Sequence, residues 1–179
     1  MVTALALSGC TGSADGADGA DAPAGSRTPS STRDPDVERH GDQEQADVAL
    51  ATAVLRAERA VLAQVVATVR RHPRLVASVS GARAAHRAHV ALLQEAVPGA
   101  ARSSGPSPDA STDPRTPRVP IRPGAALAAL AIAEARLSAA GVRHAGQARS
   151  GAFARVLASM AAASAQQAAV LSEAARRRR

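Results

Sequence analysis

The sequence predicts an all-α fold: a four-helix bundle with one long crossover connection between its second and third helices, preceded by a disordered tether. Three observations predict it. Apolar residues recur at spacings of three and four along four separate blocks, which marks helices with one buried face. No run alternates with the period of two that a half-buried strand requires. The stretch from Pro98 to Arg122, rich in Pro, Ser and Arg, divides the blocks into two pairs. It is too long for a hairpin turn and too polar for a buried element.

In the first block Val54, Glu58, Val61, Val65 and Val69 share one helix face. This helix ends near His72-Pro73, because a residue before proline is pushed out of the helical region. A second helix opens with Pro73 near its first turn. Its stripe reads Leu75, Val79, Ala82, His86, His89, Leu93 and Val97, and Pro98-Gly99 stops it. The third stripe reads Leu127, Leu130, Glu134, Leu137, Gly141 and His144. Ser150 can cap a fourth helix, whose inner face reads Phe153, Val156, Met160, Ser164, Gln167, Leu171 and Ala174. Helices of about 25 residues run roughly 36 Å, a distance that about a dozen extended residues cover. The 98–122 connection can therefore return the chain along the bundle and leave the second and third helices parallel. The alternative is two independent helical hairpins joined by a linker.

Composition bounds the function. Of the 179 residues, 46% are apolar, but alanine dominates them, with one Phe and no Trp or Tyr. Such a core relies on close helix approach and on Val and Leu. Every basic residue is Arg; this usage suits a GC-rich coding sequence and weakens the functional weight of any single arginine. The net charge of +7 is uneven: nine of the fifteen acids lie between Asp15 and Asp47, while 19 Arg face six acids from Val48 onward. That surface attracts anionic polymers or lipid headgroups without specificity. Nucleic acid is not expected as a partner, since aromatic residues for stacking and the motifs of known readers are missing. The short glycine matches lie in the tether with no strand before them, so they are not phosphate loops. No apolar stretch approaches the roughly 18 to 20 residues of a membrane span.

The N-terminus carries an address. Leu7-Ser8-Gly9-Cys10 resembles the lipobox of bacterial lipoproteins, in which the cysteine becomes the lipid-modified first residue of the mature chain. The apolar run Val2 to Leu7 precedes it and a polar linker follows. Nine residues precede Cys10 and none is basic, so a start upstream of Met1 is expected. The alternative is a chance match in a cytoplasmic protein. The resemblance implies Cys10 as lipid-attachment site, the membrane as partner, and the extracytoplasmic face of the cell membrane as location. Two acyl chains would supply stable anchoring where one does not. The expected organisation is a truncated signal segment at 1–10, a tether at 11–45, the bundle at 46–177 and a basic tail at 178–179. A tether of about 35 such residues spans roughly 30–35 Å r.m.s..

An internal repeat connects the two halves. HVALLQEA from His89 aligns with QAAVLSEA from Gln167, and AERA from Ala57 matches AEAR from Ala133 with a two-residue shift. The carboxylates inside the helices form two equivalent pairs, Glu58 with Glu134 and Glu95 with Glu173. Glu58 and Glu134 fall on inward stripes, where a lone carboxylate needs a partner, a metal or a proton. His86 and His89 fall on the facing stripe. Repeat, crossover and polar layer together are similar to a ferritin-like domain, in particular the exported versions of high-GC Gram-positive bacteria; the resemblance covers about residues 46 to 177. Di-iron members take one Glu from each of two helices and Glu-x-x-His from each of the other two. By position, Glu58 and Glu134 match the single glutamates and His89 the histidine of the second helix. His86 stands where a bridging carboxylate belongs, and Ser164 and Gln167 stand where the fourth helix should give Glu and His. The resemblance therefore implies a degenerate site that cannot hold two irons.

The expectation is a non-catalytic binding or structural lipoprotein without a cofactor. In it Glu58 and Glu134 are satisfied by His86, His89, Gln167 and Ser164 through hydrogen bonds. The alternative is a single divalent transition metal (Zn, Mn or Fe) held by Glu58, His86, His89 and Glu134. A third reading concerns Arg176, Arg177, Arg178 and Arg179, which either touch anionic lipid or wall polymer or merely meet the dipole of a helix end. Among the other histidines, His40 is assigned to the tether and His72 to a helix end. His144, ten residues from Glu134, lies about 15 Å along the axis, outside the polar layer. Oligomeric state is left open.

Overall fold

A computed structural model describes residues 35–96 and 117–178, with side chains from residue 41. Cys10, the tether before Pro35, most of the 98–122 connection, Val97 and Arg179 lie outside the described residues. Four α-helices make up the bundle: α1 Pro35–Arg71, α2 Val76–Ala96, α3 Pro123–Gln147 and α4 Gly151–Arg176. The described residues contain no strand.

Helix boundaries follow local chemistry. Pro35 opens α1, since its fixed φ suits a first helical position. Residues 35–45, expected as part of the tether and including His40, are helical and belong to α1. Polarity there spoke against burial and not against helix, and residues 42–46 are indeed exposed. At the other end His72 leaves the helix with φ −128° and ψ 75°, and Pro73–Leu75 form a 3-10 turn leading into α2. Pro123 opens α3. Ser150 caps α4, its hydroxyl accepting from the Phe153 amide at 3.3 Å.

The same turn is pinned by a residue the sequence did not single out. Asp47 of α1 accepts the backbone amides of Arg149 and Ser150, both at 2.8 Å. A carboxylate at the start of α4 satisfies amides that a helix N-terminus leaves free and meets the positive end of its dipole.

Two apolar clusters set the helix directions. One joins Val65 late in α1, Val79 and Ala82 early in α2, Leu127 and Leu130 early in α3, and Leu171 late in α4. The other joins Ala51, Val54 and Leu55 midway along α1, Leu93 late in α2 and Leu157 and Met160 early in α4, with Ala145 of late α3 against it. So α1 and α4 run one way, and α2 and α3 run the other. The main packing partners are α1 on α2 and α3, and α4 on α3 and α2. The α3–α4 pairing is close: a Cβ on Gly141 would stand 2.8 Å from the Ala161 Cβ.

By length and composition α3 is apolar enough to cross a bilayer. That corrects the sequence-based expectation that no segment approaches a span, because its many alanines count as apolar. In the bundle α3 is a core helix with Leu127, Leu130 and Glu134 buried.

Candidate functional site

Between the two apolar clusters lies a layer of four buried polar residues, one from each helix: Glu58, His86, Glu134 and Ser164. The 3.6-residue period that buries Val54 and Val65 in α1 also buries Glu58, and Ala82 and Leu93 do the same for His86. All four are at most 2% exposed.

His86 sits between the two carboxylates. Its Nδ1 is 2.6 Å from Glu58 Oε2 and its Nε2 is 2.7 Å from Glu134 Oε1. Half-buried His89 reaches the other oxygen of Glu58, with Nδ1 3.2 Å from Oε1. The two rings meet edge to face with centroids 6.1 Å apart. The second oxygen of Glu134 is buried without a hydrogen-bond partner.

These distances fix a proton count. Each short N···O contact needs a hydrogen, and a neutral imidazole carries only one N–H. The trio therefore holds one proton more than a neutral ring between two carboxylates. Held on the ring, that proton makes an imidazolium that donates Nδ1–H to Glu58 and Nε2–H to Glu134. Burial alone pulls the His86 pKa down, but the hydrogen bonds and charges of Glu134 and Glu58 outweigh it and raise the value to about 9. Burial likewise pushes the Glu58 carboxyl up, and His86 and His89 together more than offset this, leaving it below its ordinary value. At neutral pH the layer is thus a buried cation clamped between two carboxylates.

The metal-ligand set foreseen in the sequence is brought together in part. Single donor atoms of Glu58, His86 and His89 lie within 4.8 Å of one another. Glu134 reaches this group through His86 Nε2. A metal on His86 would have to displace a proton and one carboxylate, because both ring nitrogens are already engaged. On α4, Ser164 offers the layer only a hydroxyl, and the half-buried Gln167 has its amide against Gly81, where an added Cβ would lie 3.4 Å from Oε1. Beyond His86 and His89, the anticipated hydrogen bonds from Ser164 and Gln167 to the glutamates are not formed.

A cavity of about 20 Å³, the size of one water, adjoins the layer and is lined by Glu58, Ser164 and, from α3, Leu137, Gly141 and His144. His144 was placed outside the layer by its distance from Glu134, yet it shares this cavity with Glu58. There is no room here for an organic substrate. A larger groove of about 490 Å³ lies away from the layer, between early α1 and the α3–α4 turn, lined by Glu44, Asp47, Ala51, Arg149 and Phe153.

His72, set aside as a helix-end residue, does structural work there: its Nε2 lies 2.8 Å from the Pro120 carbonyl and ties the chain before α3 to the α1–α2 turn. Comparison with protein-family models, curated proteins and solved structures finds no match to this chain. The functional reading rests on the residues themselves.

Proposed function

We propose that this protein is a lipid-anchored, non-catalytic cell-surface lipoprotein built on a ferritin-like bundle whose polar core is held by a proton in place of metal. Cys10 is the lipid-attachment site in this reading, and the extracytoplasmic membrane face is the location. The parallel course of α2 and α3, with α1 on α3 and α2 on α4, supports the ferritin-like arrangement and a connection that returns along the bundle. One observation carries the non-catalytic part: both nitrogens of His86 are committed to carboxylates, so the ring has no lone pair to offer a metal or a substrate.

A second reading has support of its own. The three donors within 4.8 Å and the partnerless Glu134 oxygen would suit one divalent ion that took the place of the proton. Metal analysis of the purified protein separates the two. Well under one equivalent of Zn, Mn or Fe, unchanged by Glu58→Ala, is expected; a full equivalent lost in that variant would favour the metal. Mass spectrometry of the protein from its native membrane is expected to show acyl chains on the Cys10 peptide, and an unmodified thiol there contradicts the anchor.

A further inference from the structure

The helix directions bring four helix ends to one end of the bundle: the C-termini of α1 and α4 and the starts of α2 and α3. Every one of them carries arginine. Arg70 and Arg71 close α1, Arg74 lies in the 3-10 turn before α2, and Arg118 and Arg122 precede α3. Arg176 ends α4, with Arg177 and Arg178 beyond it. All of these side chains are exposed. Two contacts join the segments into one surface. His72 bonds the Pro120 carbonyl, and Gly124 lies so close to the end of α4 that an added Cβ would stand 2.8 Å from the Arg178 carbonyl oxygen. Among the described residues Glu173 is the one carboxylate here, and Arg176 and Arg177 both engage it.

Helix dipoles explain only half of this pattern. Cations at the C-termini of α1 and α4 meet a favourable dipole. At the starts of α2 and α3 the dipole favours acids, yet neither first turn contains one, and Arg74, Arg118 and Arg122 stand nearby instead. The dipoles of α2 and α3 give no account of cations at those positions. A second feature accompanies them. Ile121, flanked by Pro120 and Arg122, is 78% exposed, and Val76, two residues from Arg74, is 49% exposed. Aliphatic side chains held out among arginines match a bilayer interface, where guanidinium groups meet phosphates and apolar groups enter the acyl boundary.

We propose that this basic end, with Ile121 among its arginines, is a docking surface for an anionic phospholipid bilayer. The opposite end is mixed in charge, not basic: Glu44 and Asp47 of early α1 and Glu95 of late α2 stand there beside Arg143, Arg149 and Arg155, so the basic end is the one that favours an anionic surface. A soluble polyanion would use the arginines equally well but would have no use for Ile121. The inference deepens the membrane reading above without depending on acylation of Cys10.

The full chain, unacylated, is tested by co-sedimentation with phosphatidylglycerol–phosphatidylcholine vesicles, against pure phosphatidylcholine and inorganic polyphosphate. Binding to the anionic vesicles only, weakened by salt, is expected. The R74Q/R118Q/R122Q variant should lose about tenfold or more in vesicle affinity. R136Q/R143Q/R155Q, with the same charge removed from other exposed positions, should lose about twofold at most. I121S should weaken vesicle binding about tenfold and leave any polyphosphate binding unchanged. Equal losses in the two triple variants would overturn the proposal, and so would absence of vesicle binding. Tight polyphosphate binding with vesicle binding indifferent to I121S would overturn it in favour of a soluble polyanion. Circular dichroism checks that each variant is folded, and R118Q alone, outside every helix, serves if a triple variant is not.

Discussion

Replacing His86 with leucine is expected to lower the free energy of unfolding at pH 7 by about 3–5 kcal/mol, the cost of breaking a buried ion pair from one side. The ring gives both of its N–H groups to carboxylates that are themselves at most 2% exposed. Without it, Glu58 keeps only the longer bond from His89, and Glu134 keeps none among the bonds described. At least one carboxyl must then take up a proton or draw in water. Removing the whole network, as in H86L/E58L/E134L, should recover much of the loss, because well-packed apolar residues often replace a buried ionic cluster at little cost. Urea denaturation followed by circular dichroism measures both variants. A loss under about 1 kcal/mol for H86L, the range of surface ion pairs, would mean that the layer is not the buried charge cluster described.

The second large effect is on pH dependence. In the unfolded chain His86 titrates near its ordinary value of about 6.5, and in the fold its pKa is raised to about 9. A raised pKa means that the folded state binds the proton more tightly. The stabilisation is therefore complete below about pH 6.5 and is lost as pH rises through 9. The amount at stake is roughly 3 kcal/mol. Glu58 has the opposite sign: its pKa is lowered, so its contribution is present above the ordinary carboxylate range and is lost on acidification. Stability should be greatest between about pH 5 and 6.5 and decline toward pH 9. The alkaline decline should vanish in H86L. Unfolding midpoints in urea across this range provide the check, and a flat profile from pH 6 to 9 in the unmodified protein would contradict the assignment.

How much of this was legible in the sequence depends on which force set each feature. Leu75 in the 3-10 turn and Val79, Ala82, His86 and Leu93 on α2 are all buried as their spacing indicated, because apolar periodicity alone selects that face. On α4 the buried stripe is wider than expected. Leu157, Ala161 and Ala175 join it, while Phe153 and Val156 lie only at its edge. In an alanine-rich helix small residues carry little contrast between faces, so the pattern fixes the direction of the stripe but not its width. The layer of Glu58, His86 and Glu134 could be read from the period and the repeat. The bond partners could not, since which oxygen meets which nitrogen depends on how the helices rotate in packing. Asp47 was missed for another reason. It caps a turn 102 residues away, and nothing local in its surroundings marks it. The basic end was legible only in part: the run from Arg176 stands out in the sequence, but Arg70, Arg71, Arg74, Arg118 and Arg122 join it in one surface only once α2 and α3 are known to run parallel.

A proton on His86 holds this core together. Nitrogen-15 NMR of the histidine rings across a pH titration tests it most directly. Both nitrogens of His86 are expected to carry hydrogen at pH 7, and the ring to lose a proton only near pH 9. A His86 ring with one bare nitrogen at pH 7 would contradict it.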